Sequence, residues 1–272
     1  MSHELLLKNI GRLVTMQEGA DREGALGVIR DAALLIKDGK ISWLGKDAQD
    51  LKIGASAQIV DLRGRVVMPG LVDCHTHLVH SGSRQLEFNM RSKGMSYQQI
   101  ARSGGGIVST VTSTRETSIE DLYNESARRA DEALERGTTT IEIKTGYGLD
   151  FENEMKIADA IGLIYEKHPI DVVGTFLGAH IVPPEFTHNR SDYIDLLVDE
   201  MMPEIAARKW MTSCDVFIED IAFSEDEARR ICASAKHCGL AIHLHVDQFS
   251  SVRGGEIAAE LGALSADHLD KT

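Results

Sequence analysis

The chain has 272 residues and a net charge of −13, with 43% hydrophobic and 26% charged residues, a balance ordinary for a globular chain with one large or two smaller cores. Lys and Arg never cluster beyond a pair, which argues against a nucleic-acid partner because phosphate binding needs a basic face; no apolar run approaches the ~18 residues of a membrane span, and Met1-Ser2-His3-Glu4-Leu5 lacks the basic and apolar regions of a signal peptide. Cys74, Cys214, Cys232 and Cys238 are scattered and form no CxxC pair, so the expected location is a reducing cytoplasm.

Residues 1–65 read as short strands separated by turns. Leu5–Ile10 and Arg12–Met16 are followed by Ala32–Ile36, the turn Lys37-Asp38-Gly39-Lys40, and Ile41–Gly45. Asp-Gly between two apolar runs is a hairpin signal. Ile59–Arg65 adds a further strand and turn, and the stretch as a whole predicts a small β-sandwich-like, composite domain.

From residue 66 the pattern changes to apolar strands alternating with helical stretches, the signature of a parallel α/β architecture. Val66–His77 is read as one strand ending in His75-Thr76-His77. Residues i and i+2 of a strand share a face, so the two imidazoles are expected on one side, close enough to hold one cation of a type that suits imidazole. Ser118, with Asp121 three residues on, caps a helix over Ile119–Arg136 in an imperfect capping box, and Gly137 closes it. The β-branched strand Thr138–Lys144 leads into Thr145-Gly146-Tyr147-Gly148 and a helix over Phe151–Lys167. Then come the strand Asp171–Leu177 ending in Gly178-Ala179-His180, a helix over Ser191–Ala207, and the strand Cys214–Glu219. Ser224 caps a helix through Cys238. The fifth strand, Leu240–His245, is followed by a helix over Gly254–Leu261 and the sixth strand, Ala263–His268.

Six strand–helix units in series, with chemistry-bearing residues at the strands' C-terminal ends, predict a TIM-like (β/α)8 barrel over 66–272, truncated after its sixth strand. His75, His77, Lys144, Tyr147, His180, His245, Gln248 and His268 would converge over one mouth. Each alone has a bland explanation, His180 as a surface histidine and Tyr147 as packing; their shared position is what counts. His243 and His245 share a face, and only His245 reaches the mouth, which leaves His243 to inner-layer packing. Three imidazoles from His75, His77 and His245 would keep positions open for water and an oxygen ligand, as catalytic metal sites do. No lysine ends the fourth strand, which favours a mononuclear centre; Glu219 there is read as structural. Gly104-Gly105-Gly106 is a candidate flexible loop whose plainer reading is a turn. No GxGxxG follows the first strand, so a dinucleotide enzyme is disfavoured.

The run Pro69-Gly70-Leu71-Val72-Asp73-Cys74-His75-Thr76-His77 resembles the signature of the amidohydrolase superfamily. Further segments resemble the branch of that superfamily that opens imidazolone rings in histidine degradation: Arg84–Phe88, Tyr97–Ile107, Glu142–Leu149, Thr175–His180, His245–Gln248 and Ser265–His268. The resemblance implies hydrolysis of 4-imidazolone-5-propanoate to N-formimidoyl-L-glutamate. It further implies one divalent metal, Zn or Fe, on His75, His77 and His245. Arg84, Tyr97, Tyr147 and His180 would bind a carboxylate-bearing small molecule, Gln248 would contact its ring, and His268 would assist proton transfer. A homodimer is expected by the same analogy, although no interface stripe is visible. The aspartate completing the family's metal site would lie beyond residue 272, so the 272 residues alone are expected to hold metal weakly. The alternatives are a nucleobase deaminase of the same superfamily and a catalytically silent assembly protein.

Overall fold

Glu4–Val14 (β1), which buries Leu6, Ile10 and Leu13, is the centre of the N-terminal sheet. In the computed structural model, which describes residues 3–19, 22–46, 48, 51–95, 99 and 105–272, β1 pairs antiparallel with Val28–Lys37 (β2). The chain turns at Asp38-Gly39 into Lys40–Lys46 (β3), as the hairpin signal requires. Gln58–Asp61 (β4) and Val66–Val67 (β5) both pair parallel with β1. This five-stranded mixed sheet buries Ile10, Leu13, Ile29 and Leu34 on one face and Leu6, Ala33 and Leu35 on the other. Residues 1–70 form one compact unit and 71–272 a second.

The second unit is a half-barrel. Its six strands are Leu71–Asp73 (β6), Thr138–Lys144 (β7), Asp171–Ala179 (β8), Met211–Ile218 (β9), Ala241–Val246 (β10) and Ser265–His268 (β11). They pair in sequence order and all in parallel. Period-2 alternation divides their side chains into two layers. Ile141, Ile143, Cys214, Val216, Ile242 and Leu244 are buried apolar residues. The residues between them are polar: Glu142 and Lys144, Ser213 and Asp215, His243 and His245, with Ser265 and Asp267 on β11. One layer is therefore a hydrophobic core and the other a polar inner wall.

The apolar layer is covered by helices. Ile119–Glu135 (α3) starts at Ser118, whose hydroxyl accepts the Asp121 N–H at 3.1 Å. Phe151–Lys167 (α4) is capped by Asp150 and fully buries Ile157, Ile161 and Ile164, each contributing about 1.5–3 kcal/mol by removal from water. Glu225–His237 (α7) carries a complete capping box between Ser224 and Glu227. Gly254–Glu260 (α8) precedes β11.

Three readings of the sequence are corrected. Val66–His77 is not one strand. Pro69 has no N–H to give to a ladder, so β5 stays with the N-terminal sheet, β6 is a separate three-residue strand, and His75 and His77 stand on the segment that follows it. Among the described residues, helices that the sequence reading did not expect appear before α3, Gln85–Ser92 (α1) and Ile107–Glu116 (α2). The helix expected over Ser191–Ala207 is instead Arg190–Asp195 (α5), a π turn Leu196–Met201, and Met202–Ala206 (α6); Pro203, lacking an N–H, cannot continue the regular ladder.

Candidate active site

Of the residues singled out at the strand ends, all but one share a cavity of about 560 Å³; Lys144, expected at the mouth, does not line it and is buried instead, its ammonium held by carboxylates. His75, His77, Arg84, Tyr147, His180, His245, Gln248 and His268 all line it, with Phe217 and Phe249 supplying apolar wall. Tyr97 and Gly104 lie outside the described residues.

Four imidazoles crowd the inner wall. Ring centroids of His75 and His245 are 4.5 Å apart, His245 and His268 5.0 Å, and His75 and His268 5.3 Å. One ligand atom from each of these three falls within 4.8 Å of the others. His77 stands 5.7 Å from both His75 and His245 and stacks on His180 at 5.1 Å. The rings meet even though the strand ends before them: the turn after β6 replaces the strand periodicity expected to place His75 and His77. Burial, reinforced by the neighbouring His180 and His245, lowers the His77 pKa well below the usual imidazole value.

The donors fit a transition-metal cation. His245 is 2% exposed, and neither of its ring nitrogens has a hydrogen-bond partner among the described residues; His77 Nδ1 is in the same state. Buried polar atoms are otherwise almost always satisfied, and neutral imidazole nitrogens are the preferred ligands of Zn and Fe.

Beneath the rings lies a charge network that the sequence reading did not anticipate. Lys144 Nζ donates to Glu142 Oε1 at 2.9 Å and Asp215 Oδ2 at 2.8 Å, and stands 3.5 Å from Asp267 Oδ2. Asp267 Oδ2 is 2.8 Å from His75 Nδ1. Asp215 Oδ2 is 2.8 Å from His245 Nδ1, off hydrogen-bonding alignment, while its Oδ1 accepts the His245 backbone N–H at 3.1 Å. Burial pulls the Lys144 ammonium toward losing its proton, but Asp215 and Glu142 outweigh it and hold the pKa above the usual lysine range. Burial likewise works against ionised Asp215, and His245 with Lys144 drives its pKa far down. Asp267, opposed by burial but bonded to His75 and Ser265, is held at about 2 instead of 3.8.

A carboxylate whose folded pKa is depressed stabilises the fold fully above its unfolded value and loses that contribution as pH falls through the folded one. Asp267 should therefore contribute above about pH 4 and stop contributing near pH 2. Urea unfolding of Asp267→Asn between these limits is expected to show a shallower acid slope than the parent chain; an identical slope would mean that Asp267 carries no such charge coupling.

Tyr147 and His180 occupy the adjoining wall, their rings 5.6 Å apart. The loop bearing Tyr147 wraps around the Glu154 carboxylate, which is fully buried on the first turn of α4 and accepts N–H groups from Gly146, Gly148 and Leu149. Gly148 is needed there, because a Cβ would lie 2.4 Å from the Glu154 nitrogen. Gly146 passes the order on: its carbonyl accepts Nδ1–H of His180 at 3.0 Å. Burial, with His245 beside it, lowers the His180 pKa to about 3.

Arg84 precedes α1, its Nε 3.0 Å from Glu87 Oε2, while Glu87 Oε1 accepts the Gly106 N–H at 2.8 Å. Gln248 follows Asp247, whose buried carboxylate accepts N–H groups from Val252 and Gly254 and so fixes the turn after β10. His268 sits in the left-handed region at φ 75°, strain of roughly 1–3 kcal/mol that a fold keeps mainly at functional positions. Burial, then His245 and His75, lowers its pKa below the usual imidazole value. His243 Nδ1 is bonded to Ser265 Oγ at 2.8 Å, away from the mouth. Glu219 accepts from the Phe249 N–H and from the Ser250 N–H and hydroxyl, a structural use.

The Amidohydrolase family model matches residues 58–106. Fold comparison gives TM-scores of 0.60 with 5-methylcytosine deaminase from Klebsiella pneumoniae (15% identity, 94% of this chain and 55% of that one) and 0.56 with guanine deaminase from C. acetobutylicum (15%, 95% and 56%). A mutant atrazine chlorohydrolase from Arthrobacter aurescens, complexed with zinc and atraton, scores 0.55 at 16% identity, covering 95% of this chain and 56% of that one. The half-barrel is the fold these proteins share, and its His-x-His segment lies inside the stretch that matches the Amidohydrolase family model. In sequence the chain is similar, at 45% and 42% identity, to the imidazolonepropionases of Shewanella piezotolerans and Geobacillus kaustophilus, aligned over 90% and 97% of this chain. The chain spans 60% and 65% of the length of those two relatives. No described helix is long and apolar enough to cross a membrane.

Proposed function

We propose that the chain carries the metal-binding and substrate-facing part of an imidazolonepropionase, which adds water to the cyclic amide carbonyl of 4-imidazolone-5-propanoate and breaks the ring C–N bond to give N-formimidoyl-L-glutamate. The observation that carries this reading is the meeting of eight side chains in one cavity, within a chain 40–45% identical to proteins of that name. One divalent metal, Zn or Fe, would be held by His75, His77 and His245. When bound it supplies Lewis acidity, polarising a carbonyl and acidifying water.

The remaining work falls to the chain's own groups. The Arg84 guanidinium offers a planar fork to the propionate carboxylate, and Tyr147 and His180 complete the substrate wall; Tyr97, outside the described residues, is carried as a substrate contact by the resemblance alone. Gln248 faces the ring with both an amide donor and an acceptor. His268, held neutral near neutral pH, can take a proton on a ring nitrogen and return it to the departing ring nitrogen. A cytoplasmic homodimer belongs to the same proposal.

The reading is tested by hydrolysis of imidazolone-propionate against a panel containing cytosine and guanine. Selective ring opening is expected, with Arg84→Ala raising KM roughly 10- to 100-fold, the worth of a charged hydrogen bond. Deamination of either base would favour the deaminase alternative, and absence of any transition metal would favour a silent scaffold. Because His268 stands nearer His75 and His245 than His77 does, the ligand set has its own test. His77→Ala should lose metal, whereas His268→Ala should keep metal and lose turnover; the reverse outcome would make His268 the third ligand.

A further inference from the structure

A lysine buried to 1% exposure inside a barrel is costly unless its charge is matched. Lys144 has three ammonium protons and three carboxylate oxygens around it, at 2.8, 2.9 and 3.5 Å. Two of those oxygens, Asp215 Oδ2 and Asp267 Oδ2, are the same atoms that stand 2.8 Å from Nδ1 of His245 and of His75. The third carboxylate, Glu142, is tied through Oε2 to the Thr76 N–H at 3.2 Å, and its backbone carbonyl accepts the Thr76 hydroxyl at 2.5 Å, fixing the residue between the two leading histidines. A single ammonium thus contacts the supports of two successive residues of the His-x-His segment, His75 and Thr76, and of His245 on β10.

We propose that Lys144 is a positioning residue for the metal centre, a built-in cation that clamps Asp215 and Asp267 against the Nδ1 atoms of His245 and His75. Each imidazole then carries its proton on Nδ1, toward the carboxylate, and offers Nε2 as the donor atom. This rests on the reading of His75 and His245 as metal ligands. Without the ammonium, three carboxylates would face one another in a buried space and repel. With it, the cluster retains excess negative charge beneath the mouth, which favours a cation there. Outer carboxylates that orient ligating histidines typically account for 10- to 100-fold in metal affinity; here one lysine would govern two of them.

The 272-residue chain and its Lys144→Met variant, both stripped of metal, are titrated with Co(II) while the visible absorption bands and the far-UV circular dichroism are recorded. The variant is expected to keep its fold signal, bind Co(II) 10- to 100-fold more weakly and shift the absorption bands. A folded variant with unchanged affinity and spectrum overturns the proposal. Long-range 1H–15N correlation on the parent chain does not depend on how the variant folds: His75 and His245 are expected as Nδ1–H tautomers, and an Nε2–H tautomer at either overturns the proposal. If both tautomers are as expected but the parent takes up no Co(II), the reading of the cavity as a metal centre fails while the clamp stands.

Discussion

Replacing His245 by alanine is expected to abolish metal retention and to lower hydrolysis of imidazolone-propionate by three orders of magnitude or more. The ring lies at the centre of the cluster, 4.5 Å from His75, 5.0 Å from His268 and 5.7 Å from His77, and its Nε2 is buried with no hydrogen-bond partner among the described residues, while Nδ1 stands 2.8 Å from Asp215. Metal catalysis is worth several kcal/mol of transition-state stabilisation, and each 1.36 kcal/mol is tenfold in rate, which gives the scale. Metal content and turnover measured on one preparation decide the matter, with circular dichroism as the control for folding. Survival of both would show that the cation and the chemistry lie elsewhere.

Glu154→Ala is expected to cost about 3–5 kcal/mol of stability, a large share of what a domain possesses. Three backbone N–H groups, from Gly146, Gly148 and Leu149, depend on that buried carboxylate. Each buried donor left unpaired costs about 1–3 kcal/mol, with incomplete additivity because the loop can relax toward water. Glu154→Gln, which keeps one acceptor oxygen, should lose less than the alanine variant. Urea unfolding measures both, and a loss under 1 kcal/mol for alanine would show that the loop satisfies itself another way. The carbonyl of Gly146 holds His180, so a displaced loop is also expected to weaken substrate binding.

How far the sequence foretold this arrangement depended on whether a signal was local. The parallel units were legible because each strand is a short apolar run and the covering helices bear their own start signals, Ser118, Asp150 and Ser224. The cavity residues were legible because strand ends converge in such a sheet, whatever the individual side chain. Helices α1 and α2 were not. Within α1 no residue is buried, so it has no apolar stripe to read. The second is rich in β-branched Val and Thr, weak helix formers, and is helical because Thr110, Val111 and Thr114 are packed inside.

Lys144 was noticed only as a strand end, while Asp215 and Glu154 went unremarked. An acid inside the apolar strand Cys214-Asp215-Val216 is a local oddity that could have marked the first of these. Glu154 offered nothing, since a glutamate on the first turn of a helix is ordinary and its partners lie in a preceding loop. The break at Pro69 is visible in principle, and reading Val66–His77 as one strand merges two strands belonging to different sheets.

The alternation of polar and apolar positions over residues 141–144 of β7, 213–216 of β9 and 242–246 of β10 also bears on how the chain finds its fold. A slip of one residue in any of these strands would turn its ionised or ring-bearing side chains out among isoleucines and bring the isoleucines into the wet interior. Lys144 stranded in hydrocarbon, away from its acids, would be penalised by several kcal/mol. The polar groups that face the cavity thereby also penalise a misaligned strand, so that the same side chains bear on the site and on the threading of the half-barrel.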